Sequence, residues 1–328
     1  MSSQGLSQRC KIMKSARTLI FDIEKFALHD GPGIRTVVFM KGCPLHCLWC
    51  HNPESQSFKA ELLFNGSRCR MCGKCAAVCK GDCHAIGEGK HSFDREKCLQ
   101  CGLCTTYCPG DALKLCGREM SVDEVMEEVL KDKVFYETSG GGITLSGGEP
   151  LAHINFTAEL LQAAKANLLH TAVETCGFAP WEHIEKLLGS TDLWLYDIKA
   201  EAGKHKALTG VPFEPIAENL RKLSDRGAAI ILRCPLIPGT NDTNEHLTAI
   251  GKLADSLKGV EQIDLEPYHP LGESKALQLG RSEVFHSGFP TEADKKRWLE
   301  LVGRHTSVKI NRGNFKTPQN CQSALASI

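Results

Sequence analysis

Three cysteines lie close together in KGCPLHCLWCHNPES, residues 41–55. Their C-x3-C-x2-C spacing brings Cys43, Cys47 and Cys50 within reach of one metal centre, whereas a structural metal site normally has four protein ligands. Three thiolates on a cubane iron–sulfur cluster leave one iron without a protein ligand, and an open position of this kind binds and activates small molecules. The spacing therefore predicts a catalytic 4Fe–4S cluster whose fourth position is kept for a substrate.

A zinc ion held by the three cysteines and completed by His46 or His51 is one alternative for this segment, and a degraded cluster is another. The C-x3-C-x2-C spacing, without a second C-x2-C pair directly beside it, is not typical of zinc sites. We therefore prefer the catalytic cluster.

Eight more cysteines form two regular runs, CRMCGKCAAVC and CLQCGLCTTYCP. Both have the C-x2-C-x2-C-x3-C pattern of two-cluster bacterial ferredoxins, in which the fourth cysteine of each run ligates the cluster of the other run. We therefore expect two further 4Fe–4S clusters, and zinc knots, which favour C-x2-C pairs with a long spacer, are a weaker explanation. The expected ligand sets are Cys69, Cys72, Cys75 and Cys108 for one cluster, and Cys98, Cys101, Cys104 and Cys79 for the other.

One position departs from the ferredoxin pattern. Cys79 is followed by Lys80 instead of proline, and Cys83, four residues further on, could replace it as the ligand. The cysteines outside the three ligand sets are expected to be ordinary thiols. They are Cys10, Cys83, Cys116, Cys176, Cys234 and Cys321.

The composition limits where such a protein works. Fourteen of the 17 cysteines precede residue 120, and the first residues lack the apolar core of an export signal, so a secreted disulfide scaffold is not expected. Lys+Arg and Asp+Glu are both 39, which does not indicate nucleic acid or a membrane surface as a partner. The expectation is a soluble protein of the cytoplasm.

Strand-like and helix-like segments alternate along most of the chain. Each expected strand is a short apolar run between turn residues, and each expected helix has apolar residues at helical spacing. The expected strands are 34–40, 142–146, 170–174, 192–198, 228–233 and 261–267. The expected helices are 121–132, which begins with a capping box of Ser121 and Glu124, 154–167, 180–188, 215–226 and 244–257.

Six β/α units predict a parallel sheet with crossover helices. Because eight units close a TIM barrel, the predicted fold is α/β with an open, partial (β/α)6 TIM-type barrel. Residues 1–61 and 117–328 would form this barrel, and residues 62–116 would form an inserted ferredoxin-like domain with two 4Fe–4S clusters.

Unusual motifs follow the carboxyl ends of these strands. In barrels of this type the active groups lie on those loops, so six motifs on one rim indicate a single site. Apart from the three cysteines, the motifs are Ser146-Gly147-Gly148-Glu149-Pro150, Glu174-Thr175, Asp197-Ile198-Lys199, Arg233 and Pro267-Tyr268-His269.

With these motifs in place, the sequence resembles a known family. C-x3-C-x2-C after the first barrel strand is the signature of radical S-adenosylmethionine (SAM) enzymes. HDGPGIRTVVFMKGCPLHCLWCHNPES, YETSGGGITLSGGEPL, DIK, RCPLIPGTND and PYHPLG, in this order over residues 20–282, are similar to the glycyl radical enzyme activating enzymes. The resemblance is strongest to the branch with two extra clusters, which is related to pyruvate formate-lyase activating enzyme.

The resemblance implies a role for each motif. The free iron of the Cys43, Cys47 and Cys50 cluster would chelate SAM, and the remaining contacts would surround that cofactor. Glu174-Thr175 and Asp197 occupy positions that some relatives use for a monovalent cation, but Glu174 stands where aspartate is usual and Cys176 where asparagine is common. The implied SAM contacts are Trp49, Cys50 and His51 near the adenine, Gly147, Gly148 and Glu149 at the amino group, Lys199 at the carboxylate, His269 at the nucleoside, and Arg233 as a further contact.

The resemblance also implies a reaction and partners. The reduced cluster would cleave SAM to methionine and a 5′-deoxyadenosyl radical, which removes a hydrogen atom from a glycine α-carbon of a partner glycyl radical enzyme. Asp30 and Arg35, in HDGPGIR, are candidate contacts with the partner's glycine loop, although a turn leading into a strand explains them equally well. The insert clusters would relay electrons from a low-potential donor such as flavodoxin or ferredoxin, in an anaerobic or facultative organism, or would serve structure alone.

Two rival functions remain at this point. One is another radical SAM maturase whose auxiliary clusters bind the substrate, but full ligation by eight cysteines disfavours it. The other is a non-catalytic iron–sulfur electron-transfer module, which the GGEP and DIK motifs at strand ends disfavour.

Overall fold

The computed structural model describes residues 15–311, so Cys10, Cys321 and the two ends of the predicted barrel segments lie outside the described residues. Strands and helices alternate along the chain, as the sequence predicted. The strands are β1 Arg17–Ala27, β2 Arg35–Met40, β3 Glu61–Phe64, β4 His84–Gly87, β5 Lys90–Phe93, β6 Leu113–Cys116, β7 Arg118–Ser121, β8 Gly142–Gly147, β9 His170–Thr175, β10 Leu193–Asp197, β11 Ile230–Leu236, β12 Val260–Pro267 and β13 Lys309–Asn311. The helices are α1 Lys74–Val78, α2 Leu103–Thr106, α3 Val122–Leu130, α4 Lys133–Ser139, α5 Ile154–Ala166, α6 Trp181–Leu187, α7 Ala202–Thr209, α8 Glu214–Asp225, α9 Asn244–Ser256, α10 Leu271–Gln278 and α11 Glu292–Gly303.

The main sheet has nine strands in the order β13-β12-β11-β10-β9-β8-β2-β1-β7. The six predicted strands, β2 and β8 to β12, are confirmed as parallel neighbours in chain order. β13 adds a further parallel strand, whereas β1 and β7 are antiparallel. The protein therefore has an α/β fold with a mostly parallel sheet.

The core lies between this sheet and its helices. The predicted strands are buried on both faces, which agrees with their almost continuous apolar sequences. Val37, Val38 and Leu145, for example, are fully buried. Helix α3 begins with the predicted capping box: the Glu124 amide donates to Ser121 Oγ, and the Ser121 amide donates to the Glu124 carboxylate. The described helices include none that is both long and apolar enough to cross a membrane.

Residues 61–116, between β2 and β7, form a segment with two small sheets of its own, separate from the main sheet. Strand β3 pairs with β6, strands β4 and β5 form a hairpin, and the short helices α1 and α2 each follow a glycine with positive φ, Gly73 at +73° and Gly102 at +70°. A small apolar cluster formed by Leu62, Cys75, Cys104 and Leu113 is its core. So small a core by itself contributes little stability.

Candidate active site

The carboxyl ends of the parallel strands surround a cleft of ≈ 390 Å³. Residues at the ends of β2, β8, β9, β10, β11 and β12, or in the loops that follow these strands, contribute to it, so residues of all six motifs meet on one rim, as predicted. The predicted residues that line it are Cys43, Cys47, Trp49, Cys50, His51, Ser146, Gly147, Gly148, Glu174, Thr175, Asp197, Lys199, Arg233 and His269, together with Asp30.

The three cysteines lie in a loop that is fixed by backbone hydrogen bonds. The Gly42 amide donates to Ser55 O at 2.6 Å and closes this loop at its base. Burial raises the pKa of all three thiols, that of Cys47 to about 12. Because thiolates bind iron, a cluster held here would replace three protons and compensate the charge of three buried sulfurs.

The glycine pair after β8 lies directly against the cysteine loop. The Gly148 amide donates to Met40 O at 2.7 Å, and a Cβ on Gly148 would lie 2.2 Å from Gly42 O. Gly147 has a φ of +108°, and its Cβ would lie 2.4 Å from Met40 N. The two glycines therefore allow close packing of two loops, in addition to any approach to a ligand.

Glu149 is placed differently from the expectation. Its side chain is fully buried and does not line the cleft. Its carboxylate accepts hydrogen bonds from the Leu151 amide at 2.9 Å, Thr175 Oγ1 at 2.7 Å and the Cys176 amide at 2.8 Å. Because these partners occupy the carboxylate, Glu149 holds the loops after β8 and β9 together and does not offer its oxygens to the cleft.

The rings of Trp49, His51 and His269 line one wall of the cleft, and Tyr268 packs against Trp49 and His51 without lining it. Trp49 and Tyr268 pack in an apolar cluster, and the imidazoles of His51 and His269 stack with ring centroids 4.0 Å apart. Burial lowers the pKa of His51 to about 3 and also lowers that of His269, so both rings are neutral. His51 Nε2 and His269 Nδ1 are buried without a partner within the described part of the chain, so this wall offers flat apolar surface and two unsatisfied nitrogens to a ligand.

Charged side chains occupy the opposite part of the cleft. Arg233 Nη1 lies 3.1 Å from both Asp30 Oδ1 and Glu174 Oε1, and its guanidinium also pairs with Glu266. Burial raises the pKa of Glu174 to about 7, against the opposing effect of Arg233. This carboxyl group is therefore harder to ionise than an ordinary glutamate.

Lys199 pairs with Asp197 at 2.8 Å. Burial lowers the pKa of Lys199, but the Asp197 carboxylate and other negative groups more than offset this effect, and the net pKa lies well above the ordinary value. Lys199 is therefore a permanent cation beside the cysteines. The carboxylates of Asp197 and Glu174, at the positions that some relatives use for a monovalent cation, are both paired with protein cations in this structure.

The expectation for Arg35 is wrong. Its side chain is fully buried and donates to Thr144 Oγ1 at 2.6 Å, Pro32 O at 3.0 Å and Ile143 O at 2.5 Å. A partner protein cannot reach it, because Arg35 instead ties the loop before β2 to β8. Asp30, in contrast, does line the cleft.

Sequence reasoning missed three charged residues of the cleft, Glu24, Glu266 and Lys275. Glu266 occupies the end of a predicted strand, so its position could have indicated a place on the rim. Glu24 lies on β1, which was not predicted, and Lys275 lies on α10, whose apolar pattern is weak.

Nine of the ten cysteines of residues 62–116 line two separate small cavities. Cys69, Cys72, Cys75 and Cys108 line one cavity. Cys79, Cys83, Cys98, Cys101 and Cys104 line the other. Each cavity therefore combines the first three cysteines of one run with the fourth cysteine of the other run. Cys79 and Cys83 lie in the same cavity and both remain candidates for one ligand position there. The Cys83 amide donates to Cys79 Sγ at 3.3 Å.

Comparison with known proteins agrees with this geometry. Residues 99–249 match the Radical SAM superfamily. The chain is 42% identical over 303 residues to trans-4-hydroxy-L-proline dehydratase activating enzyme of Clostridioides difficile, an alignment that covers 91% of this chain and 98% of that protein. The chain belongs to the glycyl radical enzyme activating enzymes.

Other activating enzymes are similarly related to this one. Isethionate sulfite-lyase activating enzyme of Oleidesulfovibrio alaskensis is 45% identical, with 82% of this chain and 89% of that protein covered. Benzylsuccinate synthase activating enzyme of Thauera aromatica is 41% identical, with 87% and 88% covered. Among solved structures, a domain of pyruvate-formate lyase-activating enzyme from Bacteroides vulgatus matches 52% of this activating enzyme and 98% of that chain, at 26% identity and a TM-score of 0.45.

Proposed function

We propose that this activating enzyme installs a glycyl radical in a partner enzyme, by reductive cleavage of SAM at a 4Fe–4S cluster held by Cys43, Cys47 and Cys50. The observation that carries the proposal is the arrangement of the cleft. Three thiols from one loop lie beside an aromatic wall with unsatisfied nitrogens and beside a permanent cation, Lys199.

The residues present fit SAM and a cluster with one open iron. When bound, these groups supply the one-electron chemistry that side chains cannot supply. The flat wall of Trp49, His51 and His269 suits the adenine, and the unsatisfied nitrogens give it hydrogen-bond partners. Lys199 suits the methionine carboxylate, and the backbone at Gly147 suits the amino group, since no side chain stands in its way.

The charge of the cleft also supports a cationic ligand. Lys199, Arg233 and Lys275 are its three lysine and arginine side chains, and they face a larger number of carboxylates. These carboxylates are Glu24, Asp30, Glu174, Asp197 and Glu266. A sulfonium is attracted to a cleft with excess negative charge, and burial strengthens that attraction.

The glycine loop of the partner would enter beside Asp30. This residue lies in the cleft with its carboxylate on Arg233, so it can bind backbone amides of an incoming loop. Arg35 plays no part in this contact and keeps the Asp30 loop in place from behind, because Thr144 accepts from Arg35 and donates to Asp30 O at 2.7 Å.

Residues 62–116 would form a ferredoxin-like domain with two 4Fe–4S clusters, inserted between barrel segments 1–61 and 117–328. The crosswise division of the cysteines between two cavities supports this assignment. Cys79 and Cys83 line the same cavity, so either of them could be its fourth cluster ligand. The clusters would relay electrons from flavodoxin or ferredoxin to the cleft, in the cytoplasm of an anaerobic or facultative organism.

The partner enzyme is a separate question. The relatives named above activate a dehydratase, a sulfite-lyase and a synthase, and their identities to this chain differ by only a few per cent. Overall similarity therefore does not choose among these partner classes.

The test is an anaerobic assay of reconstituted protein with SAM and dithionite. Wild type is expected to bind about twelve iron atoms and to release 5′-deoxyadenosine, whereas Cys47→Ala should bind about eight and release none. Cys234→Ala removes a thiol of the core that does not line the cleft, and it should behave as wild type. Release of no deoxyadenosine by wild type, or normal turnover by Cys47→Ala, would overturn the proposal.

A second assay addresses the relay. Cys101→Ala should keep deoxyadenosine release with dithionite, which reaches the cleft directly, and should lose it with reduced ferredoxin or flavodoxin as the donor. Equal rates with the protein donor in wild type and Cys101→Ala would contradict an electron relay through the insert.

A further inference from the structure

Two histidines lie between the two cysteine cavities of residues 62–116, and the relay as described so far does not use them. His84 on β4 and His91 on β5 are diagonal neighbours across the hairpin, because His84 pairs with Phe93 and His91 with Ile86, and His84 Nδ1 lies 3.1 Å from His91 Nε2. His91 Nδ1 lies 3.3 Å from Cys69 Sγ. His84 lines the cavity of Cys79 and the second run, and His91 lines that of Cys69, so the pair bridges the two cavities.

Packing fixes both rings in this position. His84 and His91 are buried, which is uncommon for histidines of so small a unit. The Phe64 ring meets His91 edge-on with centroids 4.4 Å apart, and the Phe93 ring stacks on His84 at 4.8 Å. Buried polar groups held in this way usually have a defined hydrogen-bond role.

Iron ligation determines which atoms donate. A thiolate on iron can only accept, so a hydrogen bond between His91 and Cys69 requires a proton on His91 Nδ1. His91 Nε2 is then the acceptor, and His84 Nδ1 donates to it. Burial lowers the pKa of both imidazoles, which agrees with two neutral rings and one direction of donation along the pair.

We propose that His91, oriented by His84, donates a hydrogen bond to the Cys69 thiolate and thereby raises the reduction potential of the cluster held by Cys69, Cys72, Cys75 and Cys108. The inference rests on the proposed ferredoxin-like insert. Hydrogen bonds to cluster sulfurs are among the factors that set iron–sulfur potentials. A cluster held there would take up one electron from a reduced ferredoxin or flavodoxin; its sulfurs would then be more negative and would accept more strongly from His91 Nδ1–H, while the imidazole keeps its proton.

The consequence is an unequal pair of clusters. Their cysteine patterns are alike, but within the described residues only Cys69 can accept a hydrogen bond from His91, and no histidine-to-cysteine contact reaches Cys79, Cys98, Cys101 or Cys104. Cys75 Sγ lies 3.8 Å from His91 Nε2, which accepts from His84 and so donates nothing to that sulfur. The cluster at Cys69 is therefore the more easily reduced of the two. His84 acts as a positioning residue, because it selects the tautomer of His91.

The experiment is a redox titration of the anaerobic holoprotein, followed by electron paramagnetic resonance of each reduced cluster. In His91→Phe, which keeps an aromatic ring against Phe64, the equilibrium constant for reducing one cluster should fall about tenfold, which corresponds to about 59 mV for one electron. The other clusters should titrate unchanged. His91→Asn, with an amide donor near the place of Nδ1, should recover most of the potential, and His84→Phe should shift the same cluster by a smaller amount.

The outcomes separate this inference from the proposed function. If wild type holds all three clusters and His91→Phe leaves every potential unchanged with full iron, the role of His91 is wrong and the insert stands. If both His91→Phe and His91→Asn lose the four iron atoms, the histidine serves assembly and not the potential. Cys75, His84 and His91 also present ligand atoms within 4.8 Å of one another. Zinc in place of iron in wild type would therefore overturn the inference together with the insert clusters.

Discussion

The close contact between Gly148 and the cysteine loop leads to a strong prediction for Gly148→Ala. The new Cβ would lie 2.2 Å from Gly42 O and 2.9 Å from Ser55 O. Ordinary contact begins at 3.4 Å, so the two loops must separate by about 1 Å. No side-chain rotation relieves the overlap, because both obstacles are backbone atoms.

Two effects follow from this displacement. Overpacking costs about 1–3 kcal/mol and a weakened hydrogen bond between the Gly148 amide and Met40 O about 1 kcal/mol, so the free energy of unfolding should fall by about 2–4 kcal/mol. Gly42 directly precedes Cys43, so a cluster held by this loop would move with it. A misplacement of about 1 Å can cost on the order of 100-fold in rate, which is the expected loss of deoxyadenosine release.

Gly203→Ala is the matched control. Gly203 lies within α7 and has open space around the position of a Cβ, so alanine there should stabilise the protein by about 0.5–1 kcal/mol and leave turnover unchanged. Denaturant unfolding and anaerobic deoxyadenosine release measure the two effects. Wild-type stability, iron content and turnover in Gly148→Ala would refute the packing argument.

Three further predictions concern other parts of the structure. Arg35→Met should lower the free energy of unfolding by about 2–4 kcal/mol in denaturant titrations, because it leaves buried acceptors unpaired. Asp30→Asn should keep stability but reduce radical transfer to the partner, measured by electron paramagnetic resonance. The reverse pattern would contradict these assignments. Glu61→Leu should lower the free energy of unfolding by about 3 kcal/mol, because it leaves the fully buried Lys41 ammonium unpaired. Lys41→Met should lower it by only about 1 kcal/mol, because the Glu61 carboxylate is about one-third exposed and can be hydrated. Equal losses would argue against this asymmetry. Burial lowers the pKa of His246 to about 4, so the stability contributed by the neutral ring is complete above pH 6.5 and falls as the pH drops towards 4. His246→Leu should therefore reduce the dependence of the melting temperature on pH in this range. An unchanged dependence would assign it to other groups.

The parallel strands were predictable because each is a short apolar run between turn residues, buried on both faces. Strand β1 was not predictable in this way. Its Asp22, Glu24 and Lys25 break the apolar run because one face is open, and irregular pairing with β2 interrupts the alternation. An antiparallel strand beside a parallel sheet therefore lacked a local signal.

The sequence predicted which loops contribute residues to the cleft, but not which side chains point into it. Arg35 and Glu149 both belong to motifs that meet at the cleft, yet both side chains bond to other strands of the protein. Their partners, such as Thr144 and Thr175, lie far along the chain, so only the folded structure determines where these side chains point. The crosswise grouping of the insert cysteines could be expected because the spacing of each run limits which sulfurs one cavity can collect.

Helix α10 joins the cysteine loop to the insert. Lys275 Nζ donates to Asn52 Oδ1 at 2.9 Å, and Gly272 packs against Cys50 O, while at the other end Arg95 donates to Gln278 O at 2.6 Å. This eight-residue helix therefore contacts the cysteine loop at one end and residues 61–116 at the other. A shortened protein without residues 61–116 would lose the Arg95 contact with α10, so α10 would be held only at its cysteine-loop end. Such a variant would therefore need new residues on α10 in addition to the deletion.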